Sequence, residues 1–250
     1  MTATLYLMPN ALDLGSEAVP LEDVLPAGAM RRAAALAHWV AEDARSARAF
    51  LKRVHACVPL ERPLQEIDIA ELPRPPKGHA AAPPPAAWQA LLAPALAGHD
   101  LGLLSEAGLP ALADPGAALV AAAHAAGVRV WPLAGPSAIA LALAASGLDG
   151  QSFAFVGYLP QPGDQRAARL RALEALSARQ HQTQVFIETP YRNAALLQTA
   201  LATLAPGTRL AVACGLTLPQ VFVRSATVAD WRRTPLTLPD RLPAVFALQA

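Results

Sequence analysis

Residues 101–148 read LGLLSEAGLPALADPGAALVAAAHAAGVRVWPLAGPSAIALALAASGL. Two apolar runs in this stretch, Leu101–Leu104 and Val128–Trp131, have the length and composition of buried strands. Each leads into a turn of Gly, Pro and Ala, then into an alanine-rich helical run. Strand, turn, helix and strand in succession make a crossover unit, and crossover units build parallel sheets. The helix signals are specific. Asp114-Pro115 offers an N-cap side chain and an N1 proline for a helix over 116–126, with Gly127 at C′. Gly135-Pro136-Ser137 opens a second helix, and Gly147 ends it. The 19 uncharged residues between Arg129 and Asp149 approach the ~20 of a membrane span. Pro132, Gly135 and Pro136 interrupt them, so the stretch reads as strand, tight turn and helix.

Outward from this stretch the alternation continues. Thr4–Met8 and Leu36–Val40 read as earlier strands, the second after an exposed Arg31-Arg32 pair. Phe153–Val156, Gln184–Glu188, Leu210–Cys214, Val221–Arg224 and Ala244–Leu248 read as later ones, and Thr189-Pro190 opens a helix to about Leu204. Strand–helix alternation predicts a mostly parallel sheet in the first half, and the closer spacing of the later strands predicts a mixed sheet in the second. The fold class is therefore α/β, with domains at 1–149 and 150–250, the boundary falling near Gly147–Gln151. Prolines 73, 75, 76, 83, 84 and 85 predict a loop or stiff linker inside the first domain, placed over a site.

Composition narrows the function. Of 250 residues, 54% are apolar and 16% charged, which supplies a packed core and argues against a disordered chain. Two cysteines, Cys57 and Cys214, make no disulfide framework and read as buried apolar residues. No basic stretch followed by an apolar run stands at the start, so a soluble, cytoplasmic protein without a signal peptide is expected. The net charge of +1 argues against a strongly basic nucleic-acid binder. The halves differ: residues 1–150 carry 10 basic and 14 acidic groups, residues 151–250 carry 10 and 5, net −4 and +5. Either an anionic acceptor lies against the second half, with Arg166, Arg169 and Arg192 facing it, or the split is scatter. The six histidines are not paired at ligand spacing, so no metal site is expected. Dinucleotide, P-loop, nucleophile-elbow and zincin motifs are missing.

Three turns at the carboxyl ends of predicted strands remain: LLSEAGLPALADPG at 103–116, the Pro132–Leu148 run, and FIETPYRN at 186–193. Ligands bind beyond the carboxyl ends of parallel strands, where small residues admit them to the backbone and helix N-termini add donors. Capping and turn formation explain Asp114, Ser137, Thr189, Gly108 and Gly135 equally well. Taken together, these turns resemble the tetrapyrrole-methylase family, and most closely its branch of small-subunit ribosomal-RNA ribose 2′-O-methyltransferases. Ser105, Glu106, Ala107, Gly108, Pro110, Asp114, Pro115 and Gly116 follow that branch's order, as do Pro132, Gly135, Pro136, Ser137 and Ala138. Gly157-Tyr158-Leu159-Pro160, Glu188-Thr189-Pro190-Tyr191-Arg192 and Glu42-Asp43-Ala44-Arg45 resemble further elements, and QSFAFVGYLP at 151–160 resembles a smaller subgroup near that branch.

The resemblance implies two α/β domains, S-adenosylmethionine (SAM) in the cleft between them, a homodimer and no metal. It places SAM on Pro9, Ser105, Glu106, Ala107, Gly108, Asp114, Gly135, Pro136, Ser137 and Ala138. The candidate bases are Glu188, then Glu42, with structural roles as the alternative for each; Tyr191 and Arg192 stand where an acceptor is clamped. The acceptor is RNA, or alternatively a tetrapyrrole or other small anionic molecule; a third reading is a SAM-binding protein without activity. Two departures bear on this choice. The first loop reads MPNALD, keeping only Pro9 and Asn10 of the family pattern. Leu218 follows Leu216-Thr217 where the RNA-modifying branch has lysine, and Val221-Phe222 stand where it has acids.

Overall fold

The computed structural model describes residues 3–13, 15–16, 19–73, 83–239 and 241–250. The chain divides into two compact units, Met1–Pro136 and Ser137–Ala250.

Unit 1 contains β1 (Thr4–Met8), α1 (Ala27–Ala35), β2 (His38–Ala41), α2 (Ala44–Cys57), β3 (Asp68–Glu71), α3 (Pro85–Leu91), α4 (Ala93–Leu96), β4 (Leu101–Leu104), α5 (Ala117–Ala125) and β5 (Arg129–Pro132). The strands form one sheet in the order β3-β2-β4-β1-β5, every pair parallel. Successive side chains of a strand serve opposite faces. Trp39, Ala41 and Met8 thus join α1 and α2 in one core, while Val40, Leu5, Leu101 and Leu103 join Leu119 and Ala123 of α5 in the other. Gly102 lies under the Trp39 ring, where a Cβ would stand 2.6 Å from Cε3. The apolar runs therefore lack alternation because both faces are covered.

Unit 2 contains α6 (Ala138–Ser146), β6 (Phe153–Tyr158), α7 (Gly163–Gln180), β7 (Thr183–Glu188), a 3-10 turn (Pro190–Arg192), α8 (Asn193–Thr203), β8 (Arg209–Cys214), β9 (Phe222–Thr227), α9 (Val228–Arg233) and β10 (Ala244–Gln249). Its sheet runs β6-β7-β10-β8-β9; β6 and β7 are parallel and the other pairs antiparallel, the mixed sheet predicted from the spacing. Phe186, Val212 and Phe246 face α7, α8 and α9, and Phe186 and Phe246 stack at 5.6 Å. Val185, Ala211, Ala213, Val245 and Ala247 pack with Ile139, Ala142 and Leu143 of α6.

That last cluster moves the division between units. The sequence suggests 149/150, at the glycines that end α6, but α6 covers a face of the second sheet and belongs to unit 2. Ser137 caps α6, accepting from Ala140 N at 3.4 Å, and Gly147 ends it with φ 64°. Gly127 follows α5 with φ 69°.

Other expectations are corrected. Asp114 does not cap α5: the helix starts at Ala117, after Gly116 at φ 125°. Thr189 does not cap either, because its hydroxyl donates to Glu188. Pro85 begins α3 as an N1 proline, where no amide hydrogen is needed, and Pro75 and Pro76 lie outside the described residues. Cys57 is exposed and donates to Glu22 Oε2 at 3.1 Å; Cys214 is buried, which pushes its thiol up to about 11. Among the described residues no helix is long and apolar enough to cross a membrane, and no group of three or more His, Cys, Asp or Glu is placed to hold a metal.

Candidate functional site

Two loops that leave parallel strands of unit 1 are tied together by Asn10, just past β1. Its backbone exchanges hydrogen bonds with Gly108, N to O at 2.8 and 3.1 Å. Its side-chain amide donates to Ser105 O at 3.1 Å and Glu106 O at 3.0 Å, and its Oδ1 accepts from Ala11 N at 2.8 Å. Asn10, which with Pro9 keeps the family pattern in this loop, holds the loop after β4 through its backbone and its side-chain amide nitrogen, while its Oδ1 closes on the amide of the next residue. Pro9 packs on the loop after β5: a Cβ on Gly135 would lie 2.1 Å from Pro9 Cβ. Gly108, at φ 70°, faces Leu12 and Pro136 O. The structure thus brings Pro9, Ser105, Glu106, Ala107, Gly108, Gly135 and Pro136 together at the carboxyl ends of β1, β4 and β5.

The loop after β4 has an unusual backbone. Gly108, Ala111, Ala113 and Gly116 all have positive φ, at 70°, 65°, 66° and 125°. Two alanines in the left-handed region cost energy that the surrounding contacts must repay. Asp114 lies inside this loop. Burial is the main cause raising its carboxyl above the ordinary range, the nearby Glu106 charge adds to it, and a hydrogen bond with Ser105 opposes it. A carboxyl raised in the folded state stabilises the fold below its unfolded value of about 3.9, and that contribution is lost as pH rises through the folded value. Asp114→Asn is therefore expected to be more stable than the parent at pH 7, with the gap closing toward pH 4. Urea unfolding at both pH values tests it, and an equal or lower midpoint at pH 7 contradicts it.

Glu42 and Glu106 share a cavity of about 890 Å³ in unit 1 with Asn10, Asp13, Asp43, Arg45, Arg53 and Pro115. Asp43 caps α2, accepting from Ser46 N at 2.8 Å. Asp13, 5% exposed, is bound to Arg53 Nη2 at 2.9 Å, and Arg53 also donates to Val19 O. The two members of this pair lie 40 positions apart with no motif joining them, so nothing in the sequence marks them as partners. Asp13 and Arg53 neutralise each other, which leaves Glu42, Asp43 and Glu106 against Arg45 on the wall, a net negative lining that suits a cationic ligand. The sulfonium and ammonium groups of SAM meet that requirement, so the residues present fit it.

The remaining candidates belong to unit 2. Ser137 and Ala138 head α6. Glu188 ends β7 and is 2% exposed; its Oε1 accepts from Thr189 N at 2.7 Å, Arg192 Nε at 2.8 Å and Arg192 Nη2 at 2.7 Å. Arg192 is thereby committed to Glu188, while Tyr191 is 81% exposed. Arg166 does not face an acceptor: it is buried, donating from Nε to Thr199 Oγ1 at 3.1 Å, whereas Arg169 is exposed. Leu218, where a lysine was expected, is 7% exposed, next to Thr217 at φ 71°.

A parallel α/β unit followed by a mixed one defines a two-unit α/β protein. The family model for Tetrapyrrole (Corrin/Porphyrin) Methylases matches residues 25–231, and the chain belongs to that family of SAM-dependent methyltransferases. It is 44% identical over 117 residues to Ribosomal RNA small subunit methyltransferase I of Xylella fastidiosa, a match covering 47% of this chain and 41% of that protein. It is 34% identical over 142 residues to the protein of that name from Escherichia coli O157:H7, covering 57% and 48%. The matches span less than half the length of these relatives. Uroporphyrin-III-C-methyltransferase from Thermus thermophilus shares the fold at TM-score 0.52 and 20% identity, over 99% of this chain and 94% of that one. The methyltransferase CobJ does so at 0.55 and 17%, over 98% and 92%.

Proposed function

We propose that this chain transfers the methyl group of SAM to RNA, at a ribose 2′-hydroxyl of small-subunit ribosomal RNA. The observation that carries this reading is the 34–44% identity to proteins named Ribosomal RNA small subunit methyltransferase I. The Ser105–Gly108 loop, Pro9, Asp114 and the Gly135–Ala138 turn hold SAM in this reading, and a homodimer in the cytoplasm is its working form. When bound, SAM supplies an electrophilic methyl on a sulfonium. The chain then has to fix the acceptor in line with it, and positioning of that kind accounts for much of a rate enhancement. A hydroxyl acceptor also needs a proton acceptor within hydrogen-bond reach. Glu188 Oε1 is already engaged by Arg192 and Thr189, so Glu188 is assigned to positioning Arg192 and Glu42, on the cavity wall, to the base.

A second reading, methylation of a small anionic acceptor such as a tetrapyrrole, draws on Leu218, a buried apolar residue where the RNA-modifying branch carries lysine. Tritiated-methyl SAM offered with small-subunit rRNA and, separately, with a tetrapyrrole pool decides between them. Label is expected in alkali-resistant dinucleotides from the rRNA. Label only in the tetrapyrrole pool would replace the first reading with the second. Calorimetry showing no heat at millimolar SAM would remove both.

A further inference from the structure

The end of the second sheet where β6 and β7 finish carries two exposed tyrosines. Tyr158 closes β6, its register partner on β7 is Ile187, and it is 56% exposed. Tyr191 sits in the 3-10 turn just past Glu188 and is 81% exposed. Its ring does not stand alone. The Arg192 guanidinium carbon lies 5.3 Å from the ring centroid, and that guanidinium is itself held by the buried Glu188 carboxylate through Nε and Nη2. A ring backed by a fixed cation is orientated before any ligand arrives, which lowers the ordering cost of binding.

The chemistry of the surroundings selects the occupant. Unit 2 carries ten arginines against six acidic residues, net +4, so it attracts a polyanion. Exposed aromatic rings on such a surface are what unpaired nucleobases stack on, and they accept any base because every base has a π-face. We infer that Tyr158 and Tyr191 form stacking platforms for bases of a single-stranded RNA segment beside the Glu188–Arg192 pair. This rests on the RNA reading above and adds the mode of recognition: unpaired bases gripped by stacking.

The test is fluorescence anisotropy of a labelled single-stranded RNA dodecamer with the full chain, across a salt series, alongside tritium transfer to rRNA. Tyr158→Ala and Tyr191→Ala should each weaken RNA binding about 5- to 150-fold. Tyr158→Phe and Tyr191→Trp should stay within about threefold, because the ring is kept. The slope of log K against log salt should not change in any of them, since no phosphate contact is lost. SAM affinity by calorimetry should also be unchanged. Wild-type RNA affinity in both alanine variants overturns the inference. So does a loss equally large in the phenylalanine and tryptophan variants, which would assign the effect to the hydroxyl or to folding. Alanine variants that shift a dimer to a monomer while RNA affinity holds would show that a second copy covers this surface. If the unaltered protein methylates rRNA while the tyrosines prove indifferent, the stacking inference alone falls; if it neither binds RNA nor labels it, the RNA reading falls as well.

Discussion

Gly135→Ala is expected to lower stability by about 1–3 kcal/mol, at the upper end of that range, and to weaken SAM binding by at least about tenfold. The added Cβ would stand 2.1 Å from Pro9 Cβ and 2.6 Å from Pro9 Cγ, so one of the two loops must move. Pro9 cannot yield by rotating a side chain, because its ring is closed onto the backbone. Nor can the backbone drift, since the next residue, Asn10, is bound to Gly108 in both directions and to Ser105 O and Glu106 O. Displacing Pro9 therefore displaces the loop after β4 as well, and with it the residues assigned to SAM. At about 2–4 °C per kcal/mol for a chain of this size, the melting temperature should fall by roughly 6–12 °C. Gly150→Ala is the control: a Cβ there meets nothing within 4 Å, and it should leave both readouts in place. A Gly135→Ala protein that melts and binds SAM like the parent would show that the two loops are not locked together.

What the sequence reveals and what it hides divide along physical lines. Strands buried on both faces are legible, because continuous apolar runs bounded by Gly and Pro need no knowledge of their neighbours; β1 and β4 match the expected limits residue for residue. β3 is not legible. Its residues DIAE form an edge strand that is mostly exposed, so neither an apolar run nor alternation marks it. The misplaced domain boundary has a related cause. Glycine ends a helix wherever the helix packs, so Gly147 signals the end of α6 but says nothing about which sheet α6 covers. Proline and glycine turns place Gly108, Gly135 and Ser137 on the loops at strand ends. The bonds that decide what those loops do are long-range, however: Asn10 to Ser105 spans 95 positions and Arg53 to Asp13 spans 40. Asp114 shows the limit most clearly. Asp-Pro before an alanine run has the chemistry of a helix start, yet Gly116 takes the N-cap position and leaves the carboxyl half-buried beside Ser105.

Glu188→Ala is expected to cost about 3 kcal/mol of folding stability, the low end of the range for removing one partner of a buried ion pair. Glu188 is almost fully buried, and the Arg192 side chain is only 18% exposed, so solvent can replace little of what the guanidinium loses. The backbone N–H of Thr189 would lose its acceptor as well. Glu188→Gln keeps one acceptor oxygen for Thr189 N but removes the charge, so its cost should be smaller. The comparison separates two roles that sequence alone leaves open. A general base reached by the acceptor would lose turnover in both variants while the protein stayed as stable as the parent. A carboxylate that fixes Arg192 would lose stability first, and its residual activity would follow the fraction folded. Urea unfolding of both variants, with methyl transfer measured at 10 °C where each remains folded, makes the distinction. The geometry favours the second outcome, because Glu188 Oε1 already accepts from Thr189 N, Arg192 Nε and Arg192 Nη2. A glutamine variant with unchanged unfolding and turnover reduced by two or more orders of magnitude, of the order general-base catalysis supplies, would return the base to Glu188 and take it from Glu42.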